Sequence, residues 1–214
     1  MKNTLIFLLI ISGVTCQAQI TDLDGNSYDT VRIGNQTWMA ENLNVSHFRN
    51  GDTIPEAKTD EDWVKASENE QPAWCYYEND TMNGVKYGKL YNWYAVNDPR
   101  SIAPVGYRIP TDAEWTKLID YLGGESEAAK KMKSTSGWHE NGNGINTSGF
   151  SGLPGGNRGY YGTFRYIGGS SSWWSSSENI TVYAWFRGLS YFYDSVEIEH
   201  GNKGNGYYIR CLRD

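Results

Sequence analysis

Cysteine, histidine and carboxylate side chains are where chemistry would first be sought in this chain of 214 residues. Its cysteines are Cys16, Cys75 and Cys211. Cys16 falls in an N-terminal stretch with export character, so Cys75 and Cys211 would remain as an even pair, which an oxidising compartment is expected to join as a disulfide. Such a bond would close a loop of about 135 residues and constrain the unfolded chain by on the order of 4 to 5 kcal/mol. Two separate buried thiols are the alternative. His47, His139 and His200 are far apart and lack metal-ligand spacing, so no metal and no cofactor is expected from them. The adjacent His139 and Glu140 read as loop surface.

Among the acids, Asp22 and Asp24 lie in Thr21-Asp22-Leu23-Asp24-Gly25-Asn26. Gly25 falls at the wrong spacing for a helical-hand calcium loop, and a hairpin turn already accounts for Asp-Gly. Glu114 is explained by helix capping, which leaves Glu178 as the carboxylate beside a dense aromatic cluster, Trp173-Trp174-Ser175-Ser176-Ser177. A glycoside hydrolase needs two convergent carboxylates about 5 to 9 Å apart, and no second one is evident. The Gly-rich stretch Gly152 to Gly159 has neither the GxxxxGK[ST] nor the strand–GxGxxG–helix arrangement of a phosphate loop. Nine Trp and sixteen Tyr remain. Trp38, Trp93 and Trp115 are expected in the core, each burying roughly 150 to 250 Å². Trp173, Trp174, Tyr160 and Tyr161 are candidates for exposed platforms that stack on a sugar ring or meet a protein partner.

The elements that must position these groups are short. Asp24-Gly25 and Gly34-Asn35 read as turns of a meander in which Tyr28 to Ile33 and Gln36 to Ala40 are extended. Thr111 and Glu114 form a capping box ahead of a helix that buries Trp115, Leu118, Ile119 and Leu122 and stops at Gly123-Gly124. A second helix is predicted over Ser126 to Lys133, and a weaker one over Thr59 to Ser67 around Trp63. Leu90 to Val96 is apolar nearly all round, which periodicity alone assigns to neither helix nor strand. Ser134 to Ser172 reads as a long loop. Strands are predicted over Val182 to Leu189, Tyr191 to Glu199 and Gly206 to Leu212, with Glu197 and Glu199 on a wet face.

At the N-terminus, Met1-Lys2-Asn3 precedes the apolar run Leu5 to Ile11, too short to span a bilayer, and then the small and polar residues Ser12 to Ala18. Residues 1–18 are therefore expected to be a signal peptide cleaved after Ala18, and residues 19–214 a single domain. Cleavage before Cys16 with lipid attachment is the alternative, although Gly13 and Thr15 stand where a lipoprotein site has a branched apolar and a small residue. The net charge of −6 and the absence of any basic run longer than Lys130-Lys131 argue against nucleic acid as a partner.

Trp38-Met39-Ala40-Glu41-Asn42-Leu43, Tyr87-Gly88-Lys89-Leu90-Tyr91-Asn92-Trp93-Tyr94-Ala95-Val96, Pro104 to Trp115, Trp174-Ser175-Ser176-Ser177-Glu178 and the ending Ile209 to Asp214 together resemble the Fibrobacter succinogenes major paralogous domain. Arg108-Ile109-Pro110-Thr111-Asp112-Ala113-Glu114-Trp115 and the Arg210-Cys211 ending are also similar to the wider formylglycine-generating-enzyme group. That resemblance implies an α+β, C-type-lectin-like fold with short twisted antiparallel strands, one to three short helices and long ordered loops, and it favours helix for Leu90 to Val96. Enzymes of the group use a redox-active cysteine pair before the closing Arg-Cys, and this chain has no cysteine between Cys75 and Cys211. The chain is therefore expected to be a non-catalytic binding module, secreted or at the bacterial cell surface, with a glycan or an envelope protein as partner. A degenerate enzyme of the group, or a glycoside hydrolase built on Glu178, is the alternative. Lectin-like relatives present ligands to their long-loop region, which here leads into Trp173 and Trp174. Asn157, Arg158, Tyr160, Trp173, Trp174, Glu178 and Arg187 are the candidate binding surface, the alternative being that they scaffold the loop internally with Arg187 neutralising Glu178.

Overall fold

The computed structural model describes residues 19–214; the expected signal peptide, with its competing cleavages at Ala18 and Cys16, lies outside them. β1 (Ile20–Thr21) and β2 (Ser27–Tyr28) make the first hairpin. Its turn is organised by Asp22, whose Oδ1 accepts from the amides of Asp24 at 3.0 Å and Asn26 at 2.9 Å. Gly25 takes φ +83°, a conformation that favours glycine. β3 (Thr30–Ile33) and β4 (Gln36–Met39) pair around Gly34-Asn35. α1 (Asp60–Glu68) starts at a Thr59–Asp62 capping box and buries Trp63. Then follow β5 (Trp74–Cys75), α2 (Thr81–Tyr87), β6 (Leu90–Tyr91), α3 (Trp93–Val96) and β7 (Tyr107–Arg108).

α4 (Asp112–Tyr121) opens on the Thr111–Glu114 capping box, and α5 (Glu125–Met132) buries Ala128, Ala129 and Met132. The chain continues through β8 (Gly155–Arg158), β9 (Phe164–Ile167), β10 (Ser170–Ile180), β11 (Tyr183–Ser190), β12 (Glu197–Asn202) and β13 (Leu212–Arg213). A five-stranded sheet has the order β12-β11-β10-β8-β9, and a four-stranded sheet has β3-β4-β13-β7. Mixed helices and sheets, with strands pairing mostly antiparallel, make this an α+β fold.

Several expectations need correction. Five α-helices are present among the described residues, not one to three. Leu90 to Val96 is not one helix: Leu90–Tyr91 pairs with β5, and Asn92 then caps the single turn of α3 by accepting from the Ala95 amide at 3.1 Å. The long loop contains β8, β9 and the start of β10. Of the run Tyr191 to Glu199, only the part from Glu197 is strand. Gly206 to Leu212 contributes isolated bridges at Gly206, Tyr207 and Tyr208 before β13.

The disulfide expected between Cys75 and Cys211 does not form. Both cysteines are free and completely buried. Cys75 packs in a cluster with Trp38, Trp115 and Trp173, whereas Cys211 packs in a second cluster with Trp93, Trp174 and Ile209. Burial pushes the Cys75 thiol up to about 12 and raises that of Cys211 as well, so both remain protonated small apolar groups.

Candidate binding site

The proposed surface does not assemble from the residues chosen on sequence. On β10 successive side chains point to opposite faces, and here both faces are covered: Trp173 enters one core cluster and Trp174 the other. Both indoles are fully buried. Trp173 Nε1 donates to Asn42 Oδ1 at 2.8 Å, and Trp174 Nε1 donates to the Tyr91 carbonyl at 2.8 Å. Neither can stack on a ligand, which corrects the platform expectation for both.

Arg158 is equally buried, between the rings of Trp63 and Phe164, and its guanidinium donates to the carbonyls of Gly162 and Ala57 and to Asp60 Oδ1. It ties the long loop to the start of α1. Arg187 is also buried, and it pairs with Asp112 at 2.7 Å, not with Glu178. Glu178 instead bonds Lys203, which is itself buried over the Trp93 ring. These arginines hold elements together and are withdrawn from the candidate surface. Tyr160 is half-buried, with its ring 3.8 Å from that of exposed Tyr161. Asn157 lines a cleft.

That cleft, about 480 Å³, lies on the Trp174 face of the five-stranded sheet. The register explains why it is there. Ser170 pairs with Ser190, and Ser172 pairs with Gly188, whose other neighbour is Glu197. Small side chains across the central strands leave a trough, because nothing large rises from its floor. Phe186 and Tyr207, 4.8 Å apart, bound one part of it, while Tyr166, Tyr191 and Tyr193 contribute aromatic surface elsewhere. Tyr166 and Tyr193 are more than half exposed, at 61% and 53%.

Two of its lining residues have unusual local surroundings. Tyr166 has φ +68°, a left-handed conformation that is strained for a bulky residue and tends to persist where the surroundings demand it, often at ligand clamps. Glu197 is half-buried, and its carboxyl is held above the usual carboxylate range, first by burial and then by the charge of Glu199, with Lys133 opposing. Glu197 was expected on a wet face; the structure makes it a cleft wall. The sequence signal for the cleft was Ser170 and Ser172 opposite Gly188 and Ser190, which is readable only once the pairing is known.

Among the described residues, no helix is long and apolar enough to cross a membrane. The family model of the Fibrobacter succinogenes major domain matches residues 31–213. No curated protein and no solved structure matches the chain.

Proposed function

The chain belongs to the Fibrobacter succinogenes major domain family, and from that premise we propose that it is an exported, non-catalytic binding module of the cell envelope or extracellular space that takes a glycan into the sheet-face cleft. The C-type-lectin-like kind of fold is part of this reading, supported by the α+β composition and the long ordered loops between short elements.

The carrying observation is a concave trough with exposed Tyr166 and Tyr193 beside polar Asn157, Ser170, Ser190 and Glu197. A sugar ring has an apolar face for stacking and a rim of hydroxyls for hydrogen bonds, and a cleft of mixed aromatic and polar lining matches both. Among the described residues Glu197 is the sole carboxylate that lines this cleft, whereas glycoside hydrolysis uses two. Glu178, on which a hydrolase was alternatively built, is engaged by Lys203 and does not line it.

A glycan array with wild-type protein and Tyr166→Ala and Tyr193→Ala variants tests the reading. Binding of a discrete glycan set by wild type, weakened at least tenfold in both variants, is expected; tenfold corresponds to about 1.4 kcal/mol. Wild type binding no glycan, or variants binding as well as wild type, overturns it. Release of reducing ends from a bound polysaccharide would replace binding by hydrolysis.

A further inference from the structure

A second cleft of about 610 Å³ opens where Glu41, Asn42 and Asn44, the end of α2 with Gly88, and Arg210 meet. It shares no lining residue with the sheet-face cleft. Val31, Val85 and Leu153 are among the residues that line it. Val85 is 81% exposed.

Arg210 is the unusual group. It is buried, yet among the described residues no carboxylate lies within ion-pairing distance of it. Its Nε donates to Asn42 Oδ1 at 2.7 Å, and its Nη1 donates to the carbonyls of Phe150 and of Met39. Its Nη2 has only a long 3.4 Å contact with the Ser151 carbonyl. Buried cations are ordinarily paired, because the desolvation penalty is large. Here burial pulls the guanidinium below its ordinary value, and Glu41 at the rim opposes that only at a distance. The Nη2 edge thus carries charge and donor capacity that the protein itself leaves underused.

A complementary deficit lies on the same cleft. Asn44 Oδ1 is a buried acceptor with no hydrogen-bond donor. Asp29 and Glu41 line the cleft together with the cation Lys86, which leaves one formal negative charge among the three to favour an ammonium or amide N–H. Glycine keeps the walls close. A Cβ on Gly88, at φ +80°, would meet the Leu43 carbonyl at 3.0 Å, and one on Gly149 would meet Val31 at 2.8 Å.

We propose that this second cleft receives a small amino-acid-like ligand, its carboxylate against Arg210 Nη2, its N–H donor at Asn44 and the rim acids, and its side chain against Val31, Val85 and Leu153. The volume suits one or two residues of a peptide end. A free carboxylate also occurs on sugar acids, so the test separates the sources.

Nitrogen-15 NMR of the full chain is titrated with L-alanyl-L-alanine, its C-terminal amide, its N-acetyl derivative and glucuronate. The dipeptide is expected to shift the Gly88 and Gly149 amides and the Arg210 Nε resonance, with a dissociation constant of about 1 mM or tighter. The C-terminal amide should bind at least tenfold more weakly and the N-acetyl form several-fold more weakly. Asn44→Ala, which removes an acceptor that has no donor within the protein, should weaken the dipeptide while leaving the spectrum native; Arg210→Lys, if it folds, should abolish it. No dipeptide-dependent shift at these resonances, equal binding of dipeptide and amide, or glucuronate binding more tightly than the dipeptide overturns the proposal. These readouts are indifferent to whether the sheet-face cleft holds a glycan.

Discussion

Trp173, Trp174, Arg158 and Arg187 show how one side chain can serve two readings. Each has a shape and charge suited to ligand contact, and each is instead fully desolvated with internal partners. Trp173→Ala is expected to cost about 3 to 5 kcal/mol, the range for large aromatic truncations in a core. It also removes the donor from Asn42 Oδ1, which then serves Arg210 alone. Chemical denaturation measures this directly, and a loss under 1 kcal/mol would mean that the indole is not a core group. Arg158→Lys should fail to restore Arg158→Ala, because an ammonium cannot reach the Gly162, Ala57 and Thr59 carbonyls and Asp60 simultaneously as the planar fork does. Equal melting temperatures for the Lys variant and wild type would refute that. The cysteines give a simpler measurement. A chain beginning at Gln19 should show two titratable thiols when denatured without reductant and essentially none when native, since both are buried and their thiols are raised. Finding none in the denatured chain would restore the disulfide.

At the scale of elements, helix starts were the most legible part of the sequence because their signal is local. Thr111 and Glu114 announce α4, and both reciprocal bonds of the box are present. Removing the cap with Thr111→Ala should cost about 1 kcal/mol. Glu114 adds a pH dependence. Partial burial alone would raise its carboxyl, but hydrogen bonds from Arg108 and Thr111 outweigh that and hold it below the ordinary value. A depressed folded value means that its contribution is present above the unfolded value, about 4.3, and is lost as pH falls through the folded one. Glu114→Gln should therefore be less stable than wild type at pH 6, with the gap closing by pH 3; a gap that is constant with pH would rule out this linkage. Trp38, Trp93 and Trp115 were legible as core for a similar reason, since no competing surface role fits residues inside capped or paired elements. β10 was not legible. Ser170 to Ser177 lacks β-branched residues, so propensity gave little strand signal, and burial on both faces erased the alternation that would have exposed it. The surroundings of Asn92 were missed likewise: a strand, a cap residue and one helical turn sit within Leu90–Val96, below the length at which periodicity discriminates. Asn157 was the one cleft residue that sequence found, because cleft walls drawn from β8, β9, β10, β11 and β12 are set by register, which single-sequence patterns do not contain.

For the whole molecule, the decisive feature is that two core clusters are stitched together by segments far apart in sequence. β10 sends Trp173 to one and Trp174 to the other, and the ending does the same with Leu212 and Cys211. β13 is only two residues long, yet Leu212 lies between Trp38 of β4 and Arg108 of β7, so it joins the first strands to the middle of the chain. Just ahead of it, the Met39 amide donates to the Cys211 carbonyl and the Leu43 amide to that of Ile209. A chain ending at Ile209 would lose one of the two inner strands of the four-stranded sheet. It would also lose the buried Arg210, with its bonds to Asn42 and to the Phe150 and Met39 carbonyls, and two completely or nearly completely buried apolar side chains. Burial of Leu212 alone is worth roughly 1.5 to 3 kcal/mol, against a total stability of about 5 to 15 kcal/mol for a domain. Because the removed residues serve both clusters, the loss should be shared by the whole fold and not confined to the fraying of one edge. Near-UV circular dichroism, which reports nine tryptophans and sixteen tyrosines here, should collapse for the shortened chain. The single substitution Leu212→Ala should lower the denaturation midpoint in one cooperative step seen alike by tryptophan fluorescence and by far-UV signal. Two separated transitions in that variant, one per cluster, would show that the clusters fold independently and that the closing strand is an accessory to one of them.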